Sequence, residues 1–181
     1  MADHFPEAFD ELIGLEGGYV NDAADTGGET RYGVTKRVAR ANGYEGDMRE
    51  LPLDEARRIA RKQYWDSLRL DSIAELSSDI AGELFDTGYN MGTGTAGKFL
   101  QRALNVLNRR GHLYSDLTVD GLVGPVTVAA LRSFLDYRDD HGESVMMSAL
   151  NALQAVRYIE IAENNPKQER FVYGWLLNRV D

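Results

Sequence analysis

Apolar residues return in this chain at intervals of three and four over most of its length, and the rhythm stops at glycine or proline. Such spacing lines one face of successive helices and leaves little sequence for strands, so the predicted fold class is mainly α. Phe5, Phe9, Leu12, Ile13 and Leu15 open the pattern and Gly17-Gly18 ends it, which sets Glu16 at the C-terminal end of a helix. Tyr19 to Gly33 is dense in Asn, Asp, Thr and Gly and reads as a polar loop or a short irregular hairpin. A short helix is predicted from Val34. Pro52 opens a better one, with Leu53, Ala56, Ile59, Ala60 and Tyr64 on one face behind Asp54 and Glu55. Another runs from about Ser78 through Ile80, Ala81, Leu84 and Phe85. Gly92-Thr93-Gly94-Thr95 interrupts, and the rhythm resumes through Ala96, Phe99, Leu100, Ala103, Leu104 and Leu107. That interruption is the expected domain boundary, dividing residues 1–92 from 93–181. Gly124-Pro125 starts a helix with Val128, Ala129, Leu131 and Phe134; one over about 143–163 carries Val145, Ala149, Leu153, Val156 and Tyr158; a last covers about 167–179.

With 43% hydrophobic residues in 181, the chain has core enough for one domain or two small ones. Cysteine is absent, which removes disulfides, thiolate metal sites and a cysteine nucleophile. The opening Met-Ala-Asp-His-Phe-Pro-Glu lacks a basic flank followed by an apolar run, so no signal peptide is expected and synthesis in the cytoplasm is. Asp and Glu outnumber Lys and Arg by 19 to 10 over residues 1–95 and balance at 10 each over 96–181. An acidic half disfavours nonspecific nucleic-acid binding, whereas the neutral half meets an anionic polymer with less repulsion; the acid can equally serve solubility alone.

Hydrolysis of a glycosidic bond needs a carboxylic acid to protonate the leaving oxygen and commonly a second carboxylate across the cleft. Glu16 at a helix end and Asp25 in the following glycine-rich loop offer one such pair, and a packed helix end would desolvate Glu16 and keep it protonated. The alternative is a solvated carboxylate beside a helix-stopping glycine pair. Tyr19, Tyr32, Trp65 and Tyr89 are candidates for stacking on sugar faces, although Trp65, at the end of a helical stripe, reads as core.

Glu16-Gly17-Gly18-Tyr19-Val20-Asn21-Asp22, continuing to Asp25-Thr26-Gly27-Gly28-Glu29-Thr30-Arg31-Tyr32-Gly33-Val34-Thr35, resembles glycoside hydrolase family 108, the N-acetylmuramidases found among phage endolysins. The resemblance implies a lysozyme-like domain in which Glu16 is the catalytic acid, cutting the β-1,4 bond from N-acetylmuramic acid to N-acetylglucosamine. Phage-type lysozymes are a looser likeness, with Glu, Asp nine residues on and Thr six further. Asp25 falls at that place, but position 31 is Arg, so Thr30 is the candidate hydroxyl and Asp22 a rival second carboxylate. Asp86-Thr87-Gly88-Tyr89-Asn90-Met91-Gly92 is similar to a family stretch that brings an Asn to the cleft, which makes Asn90 a substrate contact or, alternatively, a helix C-cap. Tyr19, Asp22, Tyr32 and Asn90 are therefore the expected substrate-binding set, beside catalytic Glu16, Asp25 and Thr30.

Thr118-Val119-Asp120-Gly121-Leu122-Val123-Gly124-Pro125-Val126-Thr127 resembles the repeat of predicted peptidoglycan-binding domains, and Phe171-Val172-Tyr173-Gly174-Trp175-Leu176-Leu177-Asn178-Arg179 resembles a C-terminal signature of the family. Trp175 either binds sugar or anchors its helix against the first domain, anchoring being the reading its spacing favours. Together these imply a small helical peptidoglycan-binding domain after the catalytic one, peptidoglycan as partner, monomeric action, and holin-dependent release of a host-cytoplasmic protein to the wall. A noncatalytic wall-binding or secretion-accessory protein and a lytic transglycosylase using the same Glu are the alternatives. Gly92-Thr-Gly-Thr-Ala-Gly97-Lys98 mimics a phosphate loop, yet Phe99 stands where Ser or Thr belongs and a helix precedes it in place of a strand. No cofactor and no metal are implied, since His4, His112 and His141 are scattered and the acidic loop 22–29 lacks calcium-site spacing.

Overall fold

The computed structural model of the chain describes residues 3–16, 18–21 and 28–180, less the side chains of Leu15 and Glu16. Helix α1 (Phe5–Glu16) buries Phe5, Phe9 and Leu12, which recur on one stripe. Phe5, Trp65 and Phe85 meet edge to face with ring centres 5.4–5.8 Å apart, and the guanidinium groups of Arg57 and Arg61 cover Phe9 and Phe5. Three two-residue strands follow, β1 (Tyr19–Val20), β2 (Thr30–Arg31) and β3 (Val34–Thr35), antiparallel in the order β1-β2-β3. Tyr19 lies opposite Arg31, Val20 opposite Thr30, and Arg31 opposite Val34. The turn between β2 and β3 is Tyr32-Gly33, both with positive φ, as tight hairpins require. Val34 therefore belongs to a strand, and the helix expected from it begins two residues later as α2 (Lys36–Ala41), because the Thr35 hydroxyl caps it by accepting from the Val38 amide.

A 3-10 turn at Met48–Glu50 leads to α3 (Leu53–Ala60), which passes through a π turn (Arg61–Trp65) and a second 3-10 turn (Asp66–Leu68) before α4 (Leu70–Ala74). Trp65 is core, its indole N–H donating to Asp71 at 2.7 Å. Helix α5 (Ser78–Met91), capped by Ser77, is central to the molecule, packing on α1, α4, α6 (Thr93–Leu107) and α8 (Gly142–Asn164). Helices α7 (Pro125–Arg138) and α9 (Glu169–Arg179) pack against α8. One apolar core runs from Phe5 to Leu150, across residue 92 without a break.

Two local expectations change. On α8 the buried stripe is Met146, Leu150, Gln154, Tyr158 and Ala162, while Val145 and Val156 are exposed. Gln154, which apolar counting passes over, is buried because its amide NH2 finds acceptors inside, Asp86 and the Thr87 hydroxyl. On α7 Thr127, Ala130, Leu131 and Phe134 are buried and Ala129 faces solvent. The glycines that mimic a phosphate loop have a packing reason. A Cβ on Gly97 would stand 2.2 Å from the Gly121 carbonyl oxygen, and one on Gly121 would stand 2.5 Å from that of Gly94. The loop before α7 thus lies directly on the backbone of α6, held there by Gln101, which accepts from the Gly121 amide and donates to Asp120 and the Leu122 carbonyl.

Candidate active site

The end of α1 leads into the small sheet along the backbone, and a side chain ties the sheet to the end of α5. β1 begins three residues after Glu16, and pairing of β1 with β2 returns Thr30 to a position opposite Val20. The β2–β3 turn is fastened to α5, since the Tyr89 hydroxyl donates to the Tyr32 carbonyl at 2.6 Å and the Tyr89 ring packs against Gly33. Asn90 is the next residue on α5.

Tyr19 and Tyr32 are half-buried on the sheet, each under a cation: Arg49 lies 5.2 Å from the Tyr19 ring centre and Arg31 lies 5.0 Å from that of Tyr32. The Tyr19 hydroxyl donates to Glu29 at 2.9 Å, and the Lys36 ammonium donates to the other Glu29 oxygen at 2.5 Å. Lys36, then Tyr19, hold the Glu29 carboxyl below the usual range, while the bond to Glu29 raises the Tyr19 phenol. Glu29 thereby fixes the ring of Tyr19 and ties β1 to the start of α2. The Thr30 hydroxyl donates to the Gly28 carbonyl at 3.2 Å, which leaves its lone pairs as acceptors.

Asn90 is exposed within the last turn of α5, and the residue of positive φ that ends the helix is Gly92, so the C-cap alternative for Asn90 is not what the backbone adopts. Its Nδ2 donates to both the Asp86 carbonyl, at 2.9 Å, and Asp86 Oδ1, at 3.0 Å. Tyr89 is only 8% exposed and serves as the sheet-to-helix tie, not as an open stacking surface. Trp175 stacks on Tyr158 of α8 and on Phe171, so it anchors α9 within the second half; α9 reaches the first half instead through Arg179, which donates to Asp86 at 2.6 Å. Asp22, Asp25 and the Glu16 side chain lie outside the described residues.

The structure places Tyr19, Thr30 and Tyr32 on one small sheet and Asn90 at the end of the helix fastened to it, whereas sequence reasoning assigns no role to Glu29, Lys36 or Asp86. Glu29 stood inside the matched run; what it lacked was any sign of its two partners. A groove of about 490 Å3 runs between α1, α5, α8 and α9, with Glu7, Glu11, Glu83 and Asp86 on its wall. Among the described residues no group of His, Asp and Glu is arranged to hold a metal.

Residues 9–92 match the family model of glycosyl hydrolase 108, and residues 95–180 match that of the Predicted Peptidoglycan domain. Among solved structures the chain is similar to Brucella abortus SagA, with 20% sequence identity and a TM-score of 0.66 over 97% of this chain and 95% of that one, a likeness of fold. No curated protein matches.

Proposed function

Because residues 9–92 belong to glycosyl hydrolase family 108 and residues 95–180 to the predicted peptidoglycan domain, we propose that this glycoside hydrolase cuts the β-1,4 bond from N-acetylmuramic acid to N-acetylglucosamine, with Glu16 as proton donor. The observation that carries the reading is the position of residue 16. It closes α1 at i+4, i+7 and i+11 from buried Leu12, Phe9 and Phe5, immediately before the sheet that bears Tyr19, Thr30 and Tyr32. The C-terminal end of a helix carries negative partial charge, which favours the neutral carboxyl that an acid catalyst needs. Asp25 or Asp22 orients water or steadies the oxocarbenium ion, Thr30 supplies a hydroxyl, and Tyr19, Tyr32 and Asn90 hold the sugars. Residues 1–92 carry the chemistry and residues 93–181 hold the polymer. The role is that of a phage endolysin acting as a monomer, made in the host cytoplasm and released through a holin. No helix among the described residues is long and apolar enough to cross a membrane.

Mass spectrometry of fragments from purified peptidoglycan tests the assignment. Wild type should yield reducing-end muramic acid, and Glu16→Gln should lose about a hundredfold or more of the rate. Anhydro ends would make the enzyme a transglycosylase, and a mutant as active as wild type would remove Glu16 from the mechanism.

A further inference from the structure

Asp86 sits one turn before Asn90 on α5 and receives donors on both carboxylate oxygens. Oδ1 takes Arg179 Nη1 at 2.6 Å and Asn90 Nδ2 at 3.0 Å, and Oδ2 takes Gln154 Nε2 at 2.9 Å. Gln154 is fully buried, and its Nε2 also lies 3.1 Å from the Thr87 hydroxyl, which itself donates to Glu83. The Arg179 side chain is 6% exposed and that of Asp86 20%. Gln154 and Arg179 come from α8 and α9, so the second half of the chain reaches into the first at the helix turn below Asn90.

The chemistry of this contact decides which way the Asn90 amide points. Both groups facing it from the turn below, the Asp86 carbonyl and Asp86 Oδ1, are acceptors, so only the NH2 end can lie there. The carbonyl end, Oδ1, is turned to the other side, and Asn90 is exposed. An amide held this way offers a ligand an acceptor and withholds its donors. Left to rotate, a surface Asn would offer either.

We propose that Asp86 is a positioning residue: braced by Arg179 and Gln154, it fixes Asn90 so that Oδ1 accepts from an N–H or O–H donor of the bound glycan. This rests on the reading of Asn90 as a substrate contact. The donors available on such a polymer are sugar hydroxyls and the acetamido N–H, and an acceptor locked in place favours a sugar that bears the latter over one that bears a carbonyl there. Because the brace comes from α8 and α9, the second half also shapes how the first half meets substrate.

A double-mutant cycle on soluble glycan strands, read as kcat and KM beside Tm, tests this with Asp86→Asn, Asn90→Ala and both together. Each single change should lower kcat/KM about tenfold, mostly through KM, as expected for one lost oriented hydrogen bond. In the Asn90→Ala background, Asp86→Asn should cost less than about a further twofold, because the residue it positions is gone. Arg179→Lys approaches the same coupling from α9 and keeps the test open if Asp86→Asn does not fold; it should raise KM in the wild-type background and leave Asn90→Ala unchanged. Independent effects that multiply, with losses tracking Tm, would show that Asp86 is only a staple between helices and overturn the proposal. So would an Asn90→Ala enzyme with unchanged kcat/KM beside an inactive Glu16→Gln, an outcome that leaves the proposed reaction standing. Full activity in Glu16→Gln would remove that reaction and this inference with it.

Discussion

Gly28 and Gly33 flank β2 with nearly the same backbone, φ +67° and +71°, and differ in what surrounds them. A Cβ on Gly28 meets nothing within 4 Å, whereas one on Gly33 would stand 2.3 Å from Tyr89 Cε1. Gly28→Ala should therefore destabilise by about 1–2 kcal/mol, the strain of a left-handed residue alone. Gly33→Ala adds displacement of the Tyr89 ring and loss of its hydrogen bond to Tyr32, for a total of about 2–4 kcal/mol. Urea denaturation separates the two, and equal losses would show that the sheet is not fastened to α5 at this point. The same scale shows why part of the site was legible in sequence. Tyr19, Thr30 and Tyr32 lie within a short run whose order is itself the hairpin, so reading the run amounts to reading which candidate residues share the sheet. Glu29 belongs to that run, but its work depends on Lys36, seven residues away, and Asp86 depends on Arg179, 93 residues away. Side-chain partners at such separations leave no local mark.

Glycines decide the contact between α6 and the loop before α7. Gly97→Ala would drive a methyl into the Gly121 carbonyl, which cannot yield while Gln101 holds the Gly121 amide and the Leu122 carbonyl. A loss of about 2–3 kcal/mol is expected from forced overpacking. Gly94→Ala is the internal control: nothing lies within 4 Å of its added Cβ, so the helix preference for alanine should make it neutral or stabilising by up to about 1 kcal/mol. Thermal unfolding of the two variants checks the contrast, and two variants of equal Tm would deny the backbone-on-backbone packing. Helix positions were legible because periodicity and breaks are local: Pro125 at the start of α7, the Gly92 break. The face of α8 was not, because Gln154 is a core residue only by virtue of Asp86 and Thr87 on another helix. Apolar counting there includes Val145 and Val156, which are exposed, and passes over Gln154, while Ala149, Leu153 and Tyr158 do pack inward.

Across the whole molecule, the two family matches meet between residues 92 and 95, at Gly92, yet α5 cannot be covered from one side of that line. Its buried residues Ile80, Ala81, Leu84, Phe85, Thr87, Gly88 and Tyr89 span an arc of about 200° at 100° per residue, about twice the stripe of a helix on a protein surface. Helices α1 and α4 cover part of that arc, and α6 and α8, both beyond residue 92, pack on α5 as well. Cutting the chain after residue 92 would expose apolar surface on α5 and leave Asp86 without Arg179 and Gln154, removing apolar burial and buried charge compensation together. The full chain should unfold in a single cooperative transition, while residues 1–92 alone should retain helical circular dichroism without a cooperative melt and should aggregate as they are concentrated. A fragment that melts cooperatively near the full-length Tm would show that the half matching glycosyl hydrolase 108 folds alone and that α8 and α9 are an addition to it. If the fragment fails to fold, the second half is a wall of the same core that holds the candidate site, and losing it should abolish turnover along with polymer binding.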